Sequence, residues 1–255
     1  MNRTIIYPAG NTAALTYACQ YLSDRGVDIV NDPTPNVTHL LLPVPSFDAD
    51  GRIKGGSCLE TVLTELPKNI TVLGGNLTHA ALQGYKTIDL LQDPTYVAEN
   101  AAITADCAIR IAGSNLPVVF RDCPVLVIGW GRIGKCLAAQ LQAMGAKVTV
   151  AARKEADRGM SQALGYGAKS PDQLSHCLMC YRIIFNTVPA PILSEEQIAN
   201  CQDSCIKIDL ASVLGIAGTD VIWARGLPGK DAPESSGVLI AKTILRLIAG
   251  KEASL

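Results

Sequence analysis

Short apolar runs alternate with amphipathic stretches along the chain, the pattern of strands and helices taking turns in a parallel α/β fold. In the first half the runs predict strands at Thr4–Tyr7, Asp28–Val30, Thr38–Leu42, Thr71–Leu73 and Thr87–Leu90. Helices are predicted at Ala13–Arg25, closed by Gly26, and at Ser57–Leu66, stopped by Pro67. Turn-forming segments end the strands: "YPAGN", "NDPTPN", "PVPSFDADG" and "GGN". An Ala-rich stretch follows, read as a helix from Thr104 to Gly113 with Thr104 as its N-cap and Asp106 in its first turn. The second half predicts strands at Val125–Ile128, Lys147–Ala151, Arg182–Asn186, Cys205–Asp209 and near Val221–Ala224, then an amphipathic helix from Gly237 to Ala249.

The expected architecture is two doubly wound parallel-sheet domains. Residues 1–113 form a flavodoxin-like substrate or cap domain, and residues 114–236 form a Rossmann dinucleotide-binding domain. Residues 237–255 form a helix that packs back near the junction.

The most specific segment is "VLVIGWGRIGKCLAAQLQAMGAKVTVAARK", residues 125–154. A β-branched strand leads into Gly129-Trp130-Gly131-Arg132-Ile133-Gly134, an amphipathic helix and a second strand. That order turns a weak GxGxxG match into a strong one. Gly129 permits the tight turn, Gly131 lets backbone approach a pyrophosphate, and Gly134 lets helix and strand pack closely. The acidic residue that normally ends the second strand, and holds the ribose 2′-hydroxyl of NAD, is missing. Ala151-Ala152-Arg153-Lys154 stands there instead. Arg153 and Lys154 attract a 2′-phosphate, which points to NADP; the alternative is a pair of solvated surface charges. Asn186, Thr187, Val188 and Pro189 end the strand predicted at Arg182–Asn186, where the loop passes the nicotinamide ribose in such folds.

Composition removes some function classes. The net charge is −1 with no basic block, which disfavours nucleic acid and anionic membrane surfaces. No apolar run reaches the roughly 20 residues of a membrane span, and "MNRTIIYPAGN" reads as a strand and turn rather than a signal peptide. Nine cysteines, an odd number, suggest reduced thiols in a cytoplasm. "HCLMC" and "CQDSC" offer zinc-like spacings at Cys177, Cys180, Cys201 and Cys205, but the adjoining strands leave four convergent thiolates unsupported, so no metal is assigned.

Taken together, "GWGRIGK", "NTVP", "IDLAS" and "GLPGKDAPESSG" resemble the dipicolinate synthase A-subunit family, as do "LLPVP" at 41–45 and "ENAAITADCAI" at 99–109. The likeness spans nearly the whole chain. Two places depart: "PAGN" stands where a glycine pair and an acidic residue are usual, and Asp106-Cys107 where Glu-Gly is usual. The resemblance implies a subunit that oxidises a dihydrodipicolinate precursor to pyridine-2,6-dicarboxylate with NADP. It further implies a flavoprotein-like second subunit, and the mother-cell cytoplasm of a sporulating bacterium. Homo-oligomerisation is left open.

Such a reaction needs anchors for two carboxylates and an acceptor for one proton. Loop residues expected to face an interdomain cleft supply the substrate-binding candidates: Ser46, Asn100, Thr104, Ser212, Lys230, Ser235 and Ser236. For the hydroxyls, capping or turn bonds are the competing role; for Lys230 it is a solvated charge. Asp106 and Asp209 are the candidate proton acceptors, with Asp209 alternatively bracing its loop. The D-2-hydroxy-acid dehydrogenases share the two-domain layout, but need an acid/base His and a substrate Arg that "GLPGKDAPE" and "IDLAS" lack. A non-catalytic NADP-binding subunit that stabilises or regulates a partner is the reading of a different class.

Overall fold

A computed structural model describes residues 3–252. The ends of the first and last predicted segments, residues 1–2 and 253–255, lie outside it. Contacts divide the chain into two units, residues 1–100 with 228–255, and residues 101–227. The division falls within a helix rather than at 113, and residues 228–236 group with the first unit rather than the second.

In the first unit β1 (Ile5–Pro8), β2 (Asp28–Ile29), β3 (His39–Leu41), β4 (Thr71–Gly74) and β5 (Lys86–Asp89) form one parallel sheet, ordered β2-β1-β3-β4-β5. This is the flavodoxin-like order. Leu40 and Val72 of the sheet, with Leu42 just past β3, pack with Leu59, Val62 and Leu63 of α2 (Leu59–Thr64) in a buried cluster. Each such side chain contributes on the order of 1.5–3 kcal/mol by leaving water. Thr12 caps α1 (Ala13–Ser23), accepting from the Leu15 amide at 3.3 Å.

The Ala-rich helix, α3 (Pro94–Asn115), begins ten residues earlier than the Thr104 cap expected from sequence. Its start is set by Asp93, whose carboxylate accepts from the Tyr96 amide at 2.7 Å, with Pro94 in the first helical position. Thr104 and Asp106 therefore sit in the helix interior, not in its first turn.

In the second unit β6 (Pro124–Ile128), β7 (Lys147–Ala151), β8 (Gly167–Lys169), β9 (Ile183–Asn186), β10 (Ile206–Asp209) and β11 (Val221–Trp223) form a parallel sheet ordered β11-β10-β9-β6-β7-β8. That is the Rossmann order, reversing between β6 and β9. β8 lacks an apolar run and is not evident in the sequence pattern; it lies at the sheet edge and pairs only with β7. Between the strands lie α4 (Arg132–Ala143), α5 (Glu155–Ala163) and α6 (Glu195–Ile198).

After β11 come α7 (Leu227–Asp231) and α8 (Pro233–Glu252). α8 lies on α1 in the first unit. A Cβ at Gly237 would stand 2.5 Å from the Ala14 carbonyl oxygen, so the helices meet backbone to backbone. Arg246 of α8 bonds Asp93 at 2.6 Å. Ser235 and Ser236 belong to the first turn of α8 rather than to a loop before it.

Candidate functional site

The carboxyl ends of β6 and β9, at the point where the strand order reverses, are where a doubly wound sheet presents its ligand loops. Gly129, the first residue past β6, has φ +104°, a conformation that L side chains avoid. Any Cβ there would collide with Thr187 Oγ1. Gly134 is equally constrained, because its Cβ would enter the Gly129 carbonyl. Both positions need glycine for the turn to close.

Gly131 is the N-cap of α4 and carries no side chain that could cap it; nothing within 4 Å occupies the direction its Cβ would take. The α4 first-turn amides of Arg132, Ile133 and Gly134 are thus left for an outside acceptor. Arg132 is exposed, Ile133 half-buried and Gly134 buried. Free amides, the positive end of the helix dipole and an open glycine edge fit a pyrophosphate.

Arg153 and Lys154 follow β7, both exposed. Among the described residues neither has an ion-pair partner. Arg158 of α5, which the sequence reading missed, donates to the carbonyls of Ala152 at 2.9 Å and Arg153 at 2.6 Å. It ties the strand end to α5 and so fixes the stem of the two free cations. An Arg one helical turn into α5 was visible in "AARKEADR", but its target carbonyls were not. Trp130 also went unassigned. It stands edge-on to Tyr166 at 5.8 Å between ring centroids, with the Lys135 ammonium 5.8 Å from its ring.

The "NTVP" segment has a role that differs from simple ligand contact. Asn186 is fully buried. Its amide donates to Val188 O at 3.0 Å and Asp209 Oδ2 at 2.9 Å, and its oxygen accepts from the Val188 amide at 3.0 Å. Thr187 donates to the Ile128 carbonyl at 2.9 Å, directly against Gly129. Those two side chains are engaged in shaping the loop. Val188 is half-buried and Pro189 exposed.

Asp209 has the bonding of a brace, the alternative role that its position in the sequence offers. It has no exposed surface and accepts from the Ala211, Gly215 and Ile216 amides at 2.7–3.0 Å as well as from Asn186. A carboxylate so engaged organises the loop after β10. Asp106 is exposed on α3, and its charge reaches Cys136 of α4, adding to the burial that raises that thiol above its ordinary range.

Ser46 is likewise held within the protein. It is fully buried, donating to Pro43 O at 2.9 Å and accepting from the Gly75 amide at 3.0 Å, and so clasps the loops after β3 and β4. Ser236 is buried in α8. Thr104 is buried and Asn100 half-buried on α3, and both are already engaged within the protein. Ser212, Lys230 and Ser235 are exposed. Among the described residues no three His, Cys, Asp or Glu side chains gather as a metal site.

A curated protein from Bacillus subtilis (strain 168), the A-subunit of dipicolinate synthase, is 26% identical over 243 residues, covering 87% of this chain and 81% of its own. The chain is a homologue of the dipicolinate synthase A-subunit. No family model matches it. The crystal structure of the dipicolinate synthase A-subunit from Bacillus halodurans has the same fold, with a TM-score of 0.84 at 21% identity over 98% of both chains. A transhydrogenase from Sinorhizobium meliloti is similar at a TM-score of 0.71 and 13% identity, covering 96% of this chain and 93% of its own. The transhydrogenase thus has the same architecture of two parallel-stranded α/β units as the synthase.

Proposed function

We propose that the chain is the NADP-dependent dehydrogenase subunit of a dipicolinate synthase, converting a dihydrodipicolinate precursor to pyridine-2,6-dicarboxylate. The observation that carries the cofactor half is the pair of unpartnered cations, Arg153 and Lys154, at the strand end where an NAD-binding acid is absent. The substrate half draws on the likeness to the dipicolinate synthase A-subunit.

In this reading the amides of Arg132 and Ile133 hold the pyrophosphate, with Gly131 leaving room for it. Arg153 and Lys154 take the 2′-phosphate, and Arg158 holds their segment in place. The backbone and apolar side chains of residues 187–189 line the nicotinamide end, held by Asn186 and Thr187. A bound NADP would supply the hydride acceptor, and aromatisation of the ring supplies driving force. Asp106 receives the proton released with the hydride. Ser212 anchors a substrate carboxylate by its exposed hydroxyl, and Lys230 and Ser235 are the other exposed candidates. The partner is a second, flavoprotein-like subunit, and the setting is the mother-cell cytoplasm of a spore former. Among the described residues no helix is long and apolar enough to cross a membrane.

The test is NADP reduction by the purified chain given freshly made dihydrodipicolinate, alone and with the second subunit. NADPH and pyridine-2,6-dicarboxylate are expected in equal amounts, and Asp106→Asn is expected to lower the rate by on the order of 10²-fold. NADP binding without turnover under both conditions would leave the chain a non-catalytic cofactor-binding subunit.

A further inference from the structure

Two thiols outside the proposed dinucleotide site flank one tight turn. Cys201 and Cys205 bracket the segment between α6 and β10, where the Cys205 amide donates to Gln202 O at 2.9 Å and the Cys201 amide to Ile198 O at 2.8 Å. Cys205 belongs to a buried cluster with Leu178 and Tyr181, and Cys201 packs against that cluster. The Gln202 side chain pins the turn to Met179 O at 2.7 Å. Cys205 is buried, while Cys201 is half-buried and lines a surface pocket of about 400 Å³ with His176, Met179 and Asn200. Beneath the turn lies Lys207, 3% exposed, donating to Cys205 O at 3.1 Å and paired with Asp220 at 2.7 Å.

We propose that Cys201 and Cys205 form a hydroperoxide-reactive thiol pair, with Cys201 the attacking and Cys205 the resolving sulfur. The geometry supplies a reachable thiol, a second thiol at the other end of the same turn and a buried ammonium bonded to that turn. The environment makes the two unequal. The interaction with Cys205, with help from the Lys207 charge, lowers Cys201 to about 7 against the opposing effects of burial and Asp220. Cys205 is pushed up by the same contact and by burial. At neutral pH the nucleophilic thiolate is therefore on the accessible residue.

The Cys201 thiolate attacks one peroxide oxygen. The O–O bond breaks, leaving a sulfenic acid on Cys201 and releasing hydroxide, which a solvent proton converts to water. The Cys205 sulfur then attacks Cys201 Sγ. An S–S bond forms, the S–O bond breaks, and the departing hydroxide leaves as water with the Cys205 proton. Overall two thiols and one peroxide give one disulfide and two waters. The product locks the turn that feeds directly into β10.

Peptide mass analysis of the intact protein after equimolar hydrogen peroxide tests this. The tryptic fragment 183–207 contains both thiols and no other cysteine. It is expected to become lighter by two hydrogens, to resist alkylation, and to recover with dithiothreitol. Cys201 is expected to oxidise on the order of tenfold faster than the exposed Cys58 or Cys180. In Cys205→Ser, dimedone is expected to trap the sulfenic acid on Cys201. If that variant fails to fold, the pH dependence of Cys201 alkylation in the unaltered protein, half-maximal near 7, serves in its place. Oxidation of Cys58 or Cys180 ahead of Cys201, or a fragment 183–207 that stays reduced, overturns the proposal.

Discussion

Thr187 and Gly129 lie far apart in sequence yet make the glycine turn after β6 together. The hydroxyl bonds the carbonyl before the glycine, and the space of a Cβ is already occupied by the same side chain. Gly129→Ala is expected to cost about 1–3 kcal/mol, through positive-φ strain and the displaced Thr187, read by urea denaturation. Asp209→Asn is expected to cost a similar 1–3 kcal/mol, because its replacement NH₂ cannot accept from all the loop amides that face the carboxylate. Wild-type stability in either variant would contradict these roles. The glycines were legible because local backbone geometry dictates them. The duties of Asn186, Thr187, Asp209 and Ser46 were not, because each depends on partners supplied by other parts of the chain. A polar residue at a strand end looks alike in sequence whether it faces a ligand or holds a loop.

The two long helices carry the same lesson. The Ala-rich segment displays helical composition, but its start is decided by the Asp93–Pro94 pair rather than by the later Thr104. Arg246 of α8 holds the Asp93 carboxyl below the usual carboxylate range, aided by the Tyr96 amide. A carboxyl lowered in the folded state stabilises fully above its unfolded value of about 3.9, and that contribution is lost as pH falls through the folded value. Asp93→Asn retains a capping oxygen but loses the charge. Wild type is therefore expected to exceed this variant in thermal stability above about pH 4 and to lose the advantage in more acid solution. A constant difference across pH would show that the Arg246 pair contributes nothing.

Across the molecule, strand alternation in the sequence marked both sheets, and the strand order within each follows the doubly wound rules. The short edge strand β8 and the small helices escaped because they bury too little to leave a periodic signature. The proposed cofactor face is the part of the candidate site that draws most on sequence, since a missing acid and two adjacent cations are sequence facts. The substrate anchors were the least legible, and burial removes Ser46 and Ser236 from among the freely accessible hydroxyls. Calorimetric titration of the purified chain with NADP and NAD is the most direct measurement. NADP is expected to bind at least about tenfold tighter, ~1.4 kcal/mol, and the gap is expected to close in the Arg153→Ala, Lys154→Ala double variant. Equal affinities in the unaltered chain, or a preference for NAD, would contradict the assignment of the end of β7 as a 2′-phosphate site.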